Sequence, residues 1–340
     1  MPERYTDVLT RMQFYIGTYT RGTESEGIYH LHVDDDQYEL TCVAAADNPS
    51  WLISNETNLV YAVSEVSDGR SSGGALTTFQ ASGPGQLELL ATRPSLGDDP
   101  CHLALNDHQV VISNYTSGSV VSYSLDKLGM PDHFSKAEHH GSGPDPRRQA
   151  SAHAHSTLLT TDGVIVADLG MDRLMIYDTG LNLQEEVILT AGAGPRLMAA
   201  TRDHLYVICE LSNTVETFRR AEKLEHVDSV STLPDNFNDA SFTGHLELSA
   251  DNRFLYGSNR GHDSIVVMAT NDGRPQPVQW VPSGGRHPRY FTLTRDGNCL
   301  MVANRDDNNI TFYRRDSDSG LLSALDQVIE VPAPVCILQI

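Results

Sequence analysis

Cationic side chains are scarce in this sequence. Lys+Arg number 24 against 45 Asp+Glu, for a formal net charge of -21 at pH 7. Nucleic acids and anionic membrane surfaces would repel such a chain, so neither is an expected partner. Long apolar runs are missing too, and no stretch approaches the length that crosses a bilayer. Residues 1–11 are polar and lack the apolar core of a signal peptide. They read as an N-terminal extension to one domain over residues 12–340, and a cytoplasmic location is expected. Cysteine is sparse. Cys42, Cys101, Cys209, Cys299 and Cys336 are odd in number and widely spaced, with no CxxC pair. That pattern argues for buried reduced thiols over a disulfide framework. No phosphate-cradling P-loop occurs. No window repeats apolar residues at helical spacing for three turns, which leaves strands as the building material.

What is present is a repeat. Short β-branched runs ending in a small polar residue recur seven times: Phe14–Thr18, Val60–Ser64, Val110–Asn114, Val164–Asp168, Leu205–Glu210, Phe254–Asn259 and Cys299–Asn304. They lie roughly 40–55 residues apart, a period that marks a β-propeller when each unit holds several strands. After a Gly, Asn or Asp turn, a further strand follows, as in Ser119–Tyr123, Arg173–Tyr177 and Ser264–Met268. One four-stranded blade cannot bury both of its faces, whereas seven stacked around an axis can. The expected fold is therefore all-β: a seven-bladed propeller of four-stranded antiparallel blades. The apolar run Pro334–Leu338 has no repeat of its own, and it should join the blade of Phe14–Thr18 and close the ring. Two stacked β-sandwiches would leave the seven-fold recurrence unexplained.

Polar groups interrupt the repeat at equivalent places. His102, His155, Arg196, His245 or Glu247, and Arg289 each stand near the start of an inner strand. Glu210, Arg260 and Asn304 stand at the ends of second strands. In a propeller these positions converge on one mouth of the channel, where ligands bind. The Pro-rich stretch Pro144–Ser156 is a loop by composition. It concentrates Arg147, Arg148, His153 and His155 in an otherwise acidic chain. If a strand begins at His153, its two histidines point the same way.

Guanidinium forks suit carboxylate or phosphate oxygens, and a histidine moves protons near neutral pH. Glu210 can orient that histidine or a water. The set fits attack of water on the ester carbonyl of an anionic substrate, with arginine on the oxyanion. Blander roles stay open: hydrogen-bonded structural histidines, a solvated Arg147–Arg148 loop, and a blade-capping Glu210. His153 and His155 have the spacing of a metal pair, but no third ligand of matching spacing accompanies them. Arg196 is harder to treat as structural, because a charge at that position is costly to desolvate without a partner or ligand.

The ordered set Tyr15–Thr20, Gly141–Gln149 leading into His153–Ser156, Ala167–Arg173, Gly194–Arg196, Glu210–Val215, Ser258–Ile265 and Val331–Cys336 resembles the seven-bladed-propeller lactonase family. That family includes the bacterial cycloisomerase-type 6-phosphogluconolactonases and the fungal carboxymuconate-lactonising enzymes. The resemblance covers nearly the whole chain. It implies hydrolysis of 6-phosphoglucono-δ-lactone to 6-phosphogluconate in the pentose phosphate pathway, with no metal or organic cofactor. It also implies that His155, Arg196, Glu210 and Arg260 are the catalytic positions. Departures from the family pattern are Asp145 in place of Asn, Ser151-Ala152 in place of Gly-Pro, Tyr290 in place of a small polar residue, and His245 preceding Glu247 where the family has an acid before a histidine.

Three functions are in view. The first is a lactonase on a phosphorylated sugar lactone, the second a lactonase or cycloisomerase on a carboxymuconate-type lactone, and the third a non-catalytic binding platform. In each the expected partner is a small anionic molecule, and the chain is expected to be a monomer or homodimer.

Overall fold

The computed structural model describes residues 11–34, 37–67 and 73–340; the expected extension over residues 1–11 lies almost wholly outside them. The described residues form seven antiparallel sheets of four strands each, with no helix among them. We number the blades one to seven along the chain. Six are built from consecutive strands. Blade one is completed by Pro334–Gln339, which pairs with Met12–Thr18 in the register Phe14 to Gln339, Ile16 to Ile337 and Gly17 to Cys336. The predicted ring closure is therefore observed. All seven β-branched runs are the second strands of their blades.

Seven apolar clusters fill the seven interfaces between blades, rather than one common core. Between blades two and three, for example, Tyr61, Val63 and Leu76 pack on Leu103, Val110 and Ile112, all nearly or wholly buried. Each such side chain contributes about 1.5–3 kcal/mol when taken from water. Second strands are buried on both faces, which is why they read as unbroken apolar runs. Outer strands alternate, as Gln86–Pro94 does.

The innermost strands surround the axis. They are Leu52–Ser54, Pro100–Leu105, Ala154–Leu159, Pro195–Ala200, Phe242–Leu248, Pro288–Leu293 and Pro334–Gln339 in blades two to seven and then one.

Candidate active site

In six of the seven blades the inner strand is bulged near its start. Pairing jumps across Cys101, His155, Arg196, Gly244-His245, Arg289 and Val335, each lacking an opposite residue on the second strand. A bulge re-aims the extra side chain out of the ladder. Here the bulges bring Cys101, His155, Arg196, Arg289 and Val335 to line one axial pocket. The chain turns sharply just before most of these positions. Asn48, Asp99, Gly194, His287 and Ala333 all have positive φ, and each is followed by proline. At Gly194 a Cβ would also lie 2.6 Å from Leu211, so both backbone and space require glycine there. The residue that follows a second strand adds an outer layer to the same mouth, as Glu210 does after His204–Cys209. Tyr19, Glu65 and Tyr115 follow their second strands in the same way, and Arg260 ends one.

Glu210 is the hub. Its Oε2 accepts from Arg196 Nε at 2.9 Å and lies 2.8 Å from Arg260 Nη2, while Oε1 accepts from Arg148 Nη2 at 2.5 Å. His155 Nε2 stands 4.0 Å from Oε2. Burial alone would raise the Glu210 carboxyl, but Arg260, Arg196 and Arg148 outweigh it and hold the group well below the carboxylate range. It is an anion at any working pH and a poor proton acceptor. Arg196 is pushed down towards about 9, first by burial and then by the neighbouring Arg260 charge, with Glu210 opposing. A guanidinium in that pairing stays charged at neutral pH. Arg196 also donates to the Gly244 carbonyl, and Arg260 Nε donates to the Thr243 carbonyl at 3.1 Å. Any Cβ on Gly244 would meet Ser258 Oγ at 2.5 Å and the Pro288 carbonyl at 2.7 Å, so this close approach also needs glycine.

Arg289 faces the hub from blade seven. It sits 3.6 Å from Glu65 and stacks over Tyr19 at 5.0 Å, and Tyr19 donates to the same carboxylate at 2.9 Å. Four arginines thus share the mouth with two carboxylates, leaving an excess of two positive charges.

The loops carrying Arg148 and Arg196 are tied together. Asp172 accepts from Gln149 Nε2 and from the Gly194 amide, both at 2.7 Å, while Asp145 accepts from the Arg147 and Arg148 amides. A buried His139–Asp168 pair at 2.5 Å does the same for the next strand, since Asp168 also accepts from the His153 amide at 2.9 Å. The inner strand begins at Ala154, not His153, and a bulge falls at His155, yet both imidazoles pack on one tyrosine ring. His153 lies flat on Tyr115 at 4.4 Å and its Nδ1 donates to the Tyr115 carbonyl; His155 meets the same ring edge-on.

His155, His102 and His245 are neutral in the folded protein. Burial, then Arg196, holds His155 well below its ordinary value, and the same two causes bring His102 down to about 3 and depress His245 strongly. Unfolded, these groups take up protons near pH 6.5, whereas the folded groups resist until far lower pH. Stability is therefore present above pH 6.5 and is lost as pH falls towards 3, by about 1.4 kcal/mol per pH unit for each histidine at most. Urea unfolding between pH 7 and 5 should show this loss. His245→Phe should remove about a third of the three-histidine slope while costing little at pH 7, because the His245 Nδ1 has no hydrogen-bond partner to lose.

Several expected site residues are placed elsewhere. Arg147 is exposed in its loop. Asn304 is a buried blade staple that donates to the Ser283 carbonyl at 2.9 Å. Glu247 lies beyond the two-residue bulge and accepts from the Leu293 amide of the next blade; burial pushes its carboxyl up to about 8. His245 packs on Tyr290 and Trp51 rather than on the arginines. Sequence reasoning passed over Ser50, Trp51, Tyr115, Tyr19 and Glu65. The signal for Ser50 was the proline before it, which recurs before Cys101, Arg196, Arg289 and Val335 at positions 49, 100, 195, 288 and 334.

Volume alone would have chosen other places. A hollow of about 930 Å³ lies beside Arg21 and Arg305, and one of about 1130 Å³ lies around Asn55, Leu128 and Arg295. Neither gathers the buried, mutually coupled charges of the axial pocket.

The chain is thus a seven-bladed β-propeller with a cluster of buried charges at one axial mouth. Residues 13–339 match the family described as lactonase, 7-bladed β-propeller, and the chain belongs to that family. It is 33% identical over 348 residues to the 6-phosphogluconolactonase of Bacillus subtilis, covering 97% of this chain and 98% of that one. Among solved structures, a Lactobacillus plantarum protein superimposes with a TM-score of 0.89 at 29% identity, covering 97% and 100% of the two chains. The Pseudomonas aeruginosa periplasmic gluconolactonase gives 0.87 at 26% identity, covering 97% and 99%.

Proposed function

We propose that the protein hydrolyses 6-phosphoglucono-δ-lactone to 6-phosphogluconate, as a step of the pentose phosphate pathway. The observation that carries this reading is the Glu210 carboxylate bonded to three arginines beside a neutral His155. The two excess positive charges match a phosphate monoester dianion. Arg148, at the rim with a third of its side chain exposed, and Arg289 are placed to take the phosphate. Arg196 and Arg260 are held for the developing oxyanion, since donors fixed in advance need no reorganisation during reaction. The oxygens of Glu210 are already engaged by Arg148, Arg196 and Arg260, so the neutral His155 beside it is assigned as the general base. The name of the Bacillus subtilis relative supports the substrate. Five free cysteines suit a reducing compartment and support a cytoplasmic site of action.

The test compares three lactones at low temperature against the buffer blank, because the phosphorylated lactone also opens spontaneously. Turnover of 6-phosphogluconolactone should exceed the blank and exceed glucono-δ-lactone about 100-fold in kcat/KM, reflecting charge-assisted phosphate bonds worth about 1.5–3 kcal/mol each. Preferential turnover of a carboxymuconolactone would move the assignment to a lactone bearing two carboxylates, and inertness to all three would leave a binding platform.

A further inference from the structure

The axial pocket itself, which Arg196 and Arg289 help to line, has about 10 Å³ of water-accessible space. A hole of roughly 10–15 Å³ holds one water, provided two to four polar groups can bond it. Ser50, His102, His155 and Arg196 all line this one. Ser50 is the blade-two counterpart of the bulged residues, following proline as Cys101, Arg196 and Arg289 do. Its side chain is only 4% exposed, yet its hydroxyl has no hydrogen-bond partner. Leaving a buried hydroxyl unpaired costs about 1–3 kcal/mol, so a partner belongs there. His102 adds a fixed donor. Its Nδ1 accepts from the Thr157 amide at 3.3 Å, and the ring is neutral, so the proton sits on Nε2.

The hole has a floor. Trp51 packs on the apolar cluster between blades two and three and also on the one between blades five and six, so its indole crosses the channel. Its ring lies 4.3 Å from His102 and 5.9 Å from His245. A water seated in the pocket is bounded on one side by this indole.

We infer that this hole is the seat of the attacking water, held by Ser50 and His102 beside His155; the inference rests on the lactonase reading. In the step, the water oxygen bonds to the lactone carbonyl carbon while His155 takes one of its protons. The carbonyl π pair moves onto the oxygen facing the arginines. As that pair returns, the ring C–O bond breaks, and the departing ring oxygen takes the proton from His155. The resulting carboxylic acid then ionises, releasing its proton to solvent.

Ser50→Ala removes one bond to the water and should lower kcat about tenfold with KM unchanged. Ser50→Val also fills the hole, and should lower kcat at least 100-fold while the Kd for 6-phosphogluconate stays within about twofold. Urea midpoints near wild type would establish that both fold; if the valine variant does not, the alanine variant's split between kcat and KM decides. Wild-type kcat in Ser50→Ala overturns the inference, as does weakened 6-phosphogluconate binding parallel to the kcat loss, which would give the hole to a substrate hydroxyl. Inertness of the wild-type enzyme towards every lactone would instead remove the lactonase reading itself.

Discussion

Glu210→Gln is expected to destabilise the protein by roughly 3–5 kcal/mol, the cost of breaking a buried ion pair from one side. The amide keeps the size of the carboxylate but not its charge. Arg196 and Arg260, both buried, would then face each other and Arg289 with no counter-charge between them. The melting temperature should fall by roughly 4–7 °C for a chain of this size. Phosphate or sulfate should restore much of the loss in the variant and much less in wild type, because an added anion can take the place of the missing carboxylate. Calorimetric scans with and without phosphate would check this. A variant melting within a degree of wild type would mean that the arginines do not depend on Glu210 for their charge balance.

His155→Ala is expected to lower kcat by roughly 10²–10⁴-fold, the usual contribution of a positioned general base. KM should move only a few-fold, since the arginines that hold the anion remain. The pH profile adds a second check. The folded imidazole is held well below its ordinary value by burial and Arg196, so it is already the free base at pH 6. Wild-type kcat/KM, measured on the uncharged glucono-δ-lactone to keep phosphate ionisation out of the profile, should stay level from pH 7.5 to about 6. A downturn centred near 6.5 would show His155 titrating as an exposed imidazole and would remove the electrostatic account of the mouth.

The fold was legible because second strands are buried on both faces, so Val60–Ser64 or Val164–Asp168 carry the repeat as unbroken β-branched runs. The site was legible where charge broke the pattern, at His155, Arg196, Glu210 and Arg260. It was obscured where the backbone departs from simple alternation. The inner strand starts one residue after His153 and is bulged at His155, so the two do not share a regular strand face, and a two-residue bulge at Gly244-His245 carries Glu247 past the mouth to the next blade. Asn304 looked like a site residue because polar strand ends serve two purposes, and here it ties its blade together. Ser50 escaped because its inner strand, Leu52–Ser54, has only three residues and an uncharged side chain precedes it. Trp51 escaped because an aromatic at a strand start looks like ordinary core, and only the ring geometry makes it cross the axis.

The strand that completes blade one has a consequence for biosynthesis. Pro334–Gln339 supplies Val335 to the axial pocket, and Ala333 receives the Tyr19 amide at the opposite end of the sequence. During translation, the earlier blades can form while the ring is still gapped, but the pocket lacks one wall until this segment leaves the ribosome. Formation of the mouth thus waits on synthesis of this strand, and a product cut short of Pro334 would be released with an open seam and an incomplete pocket.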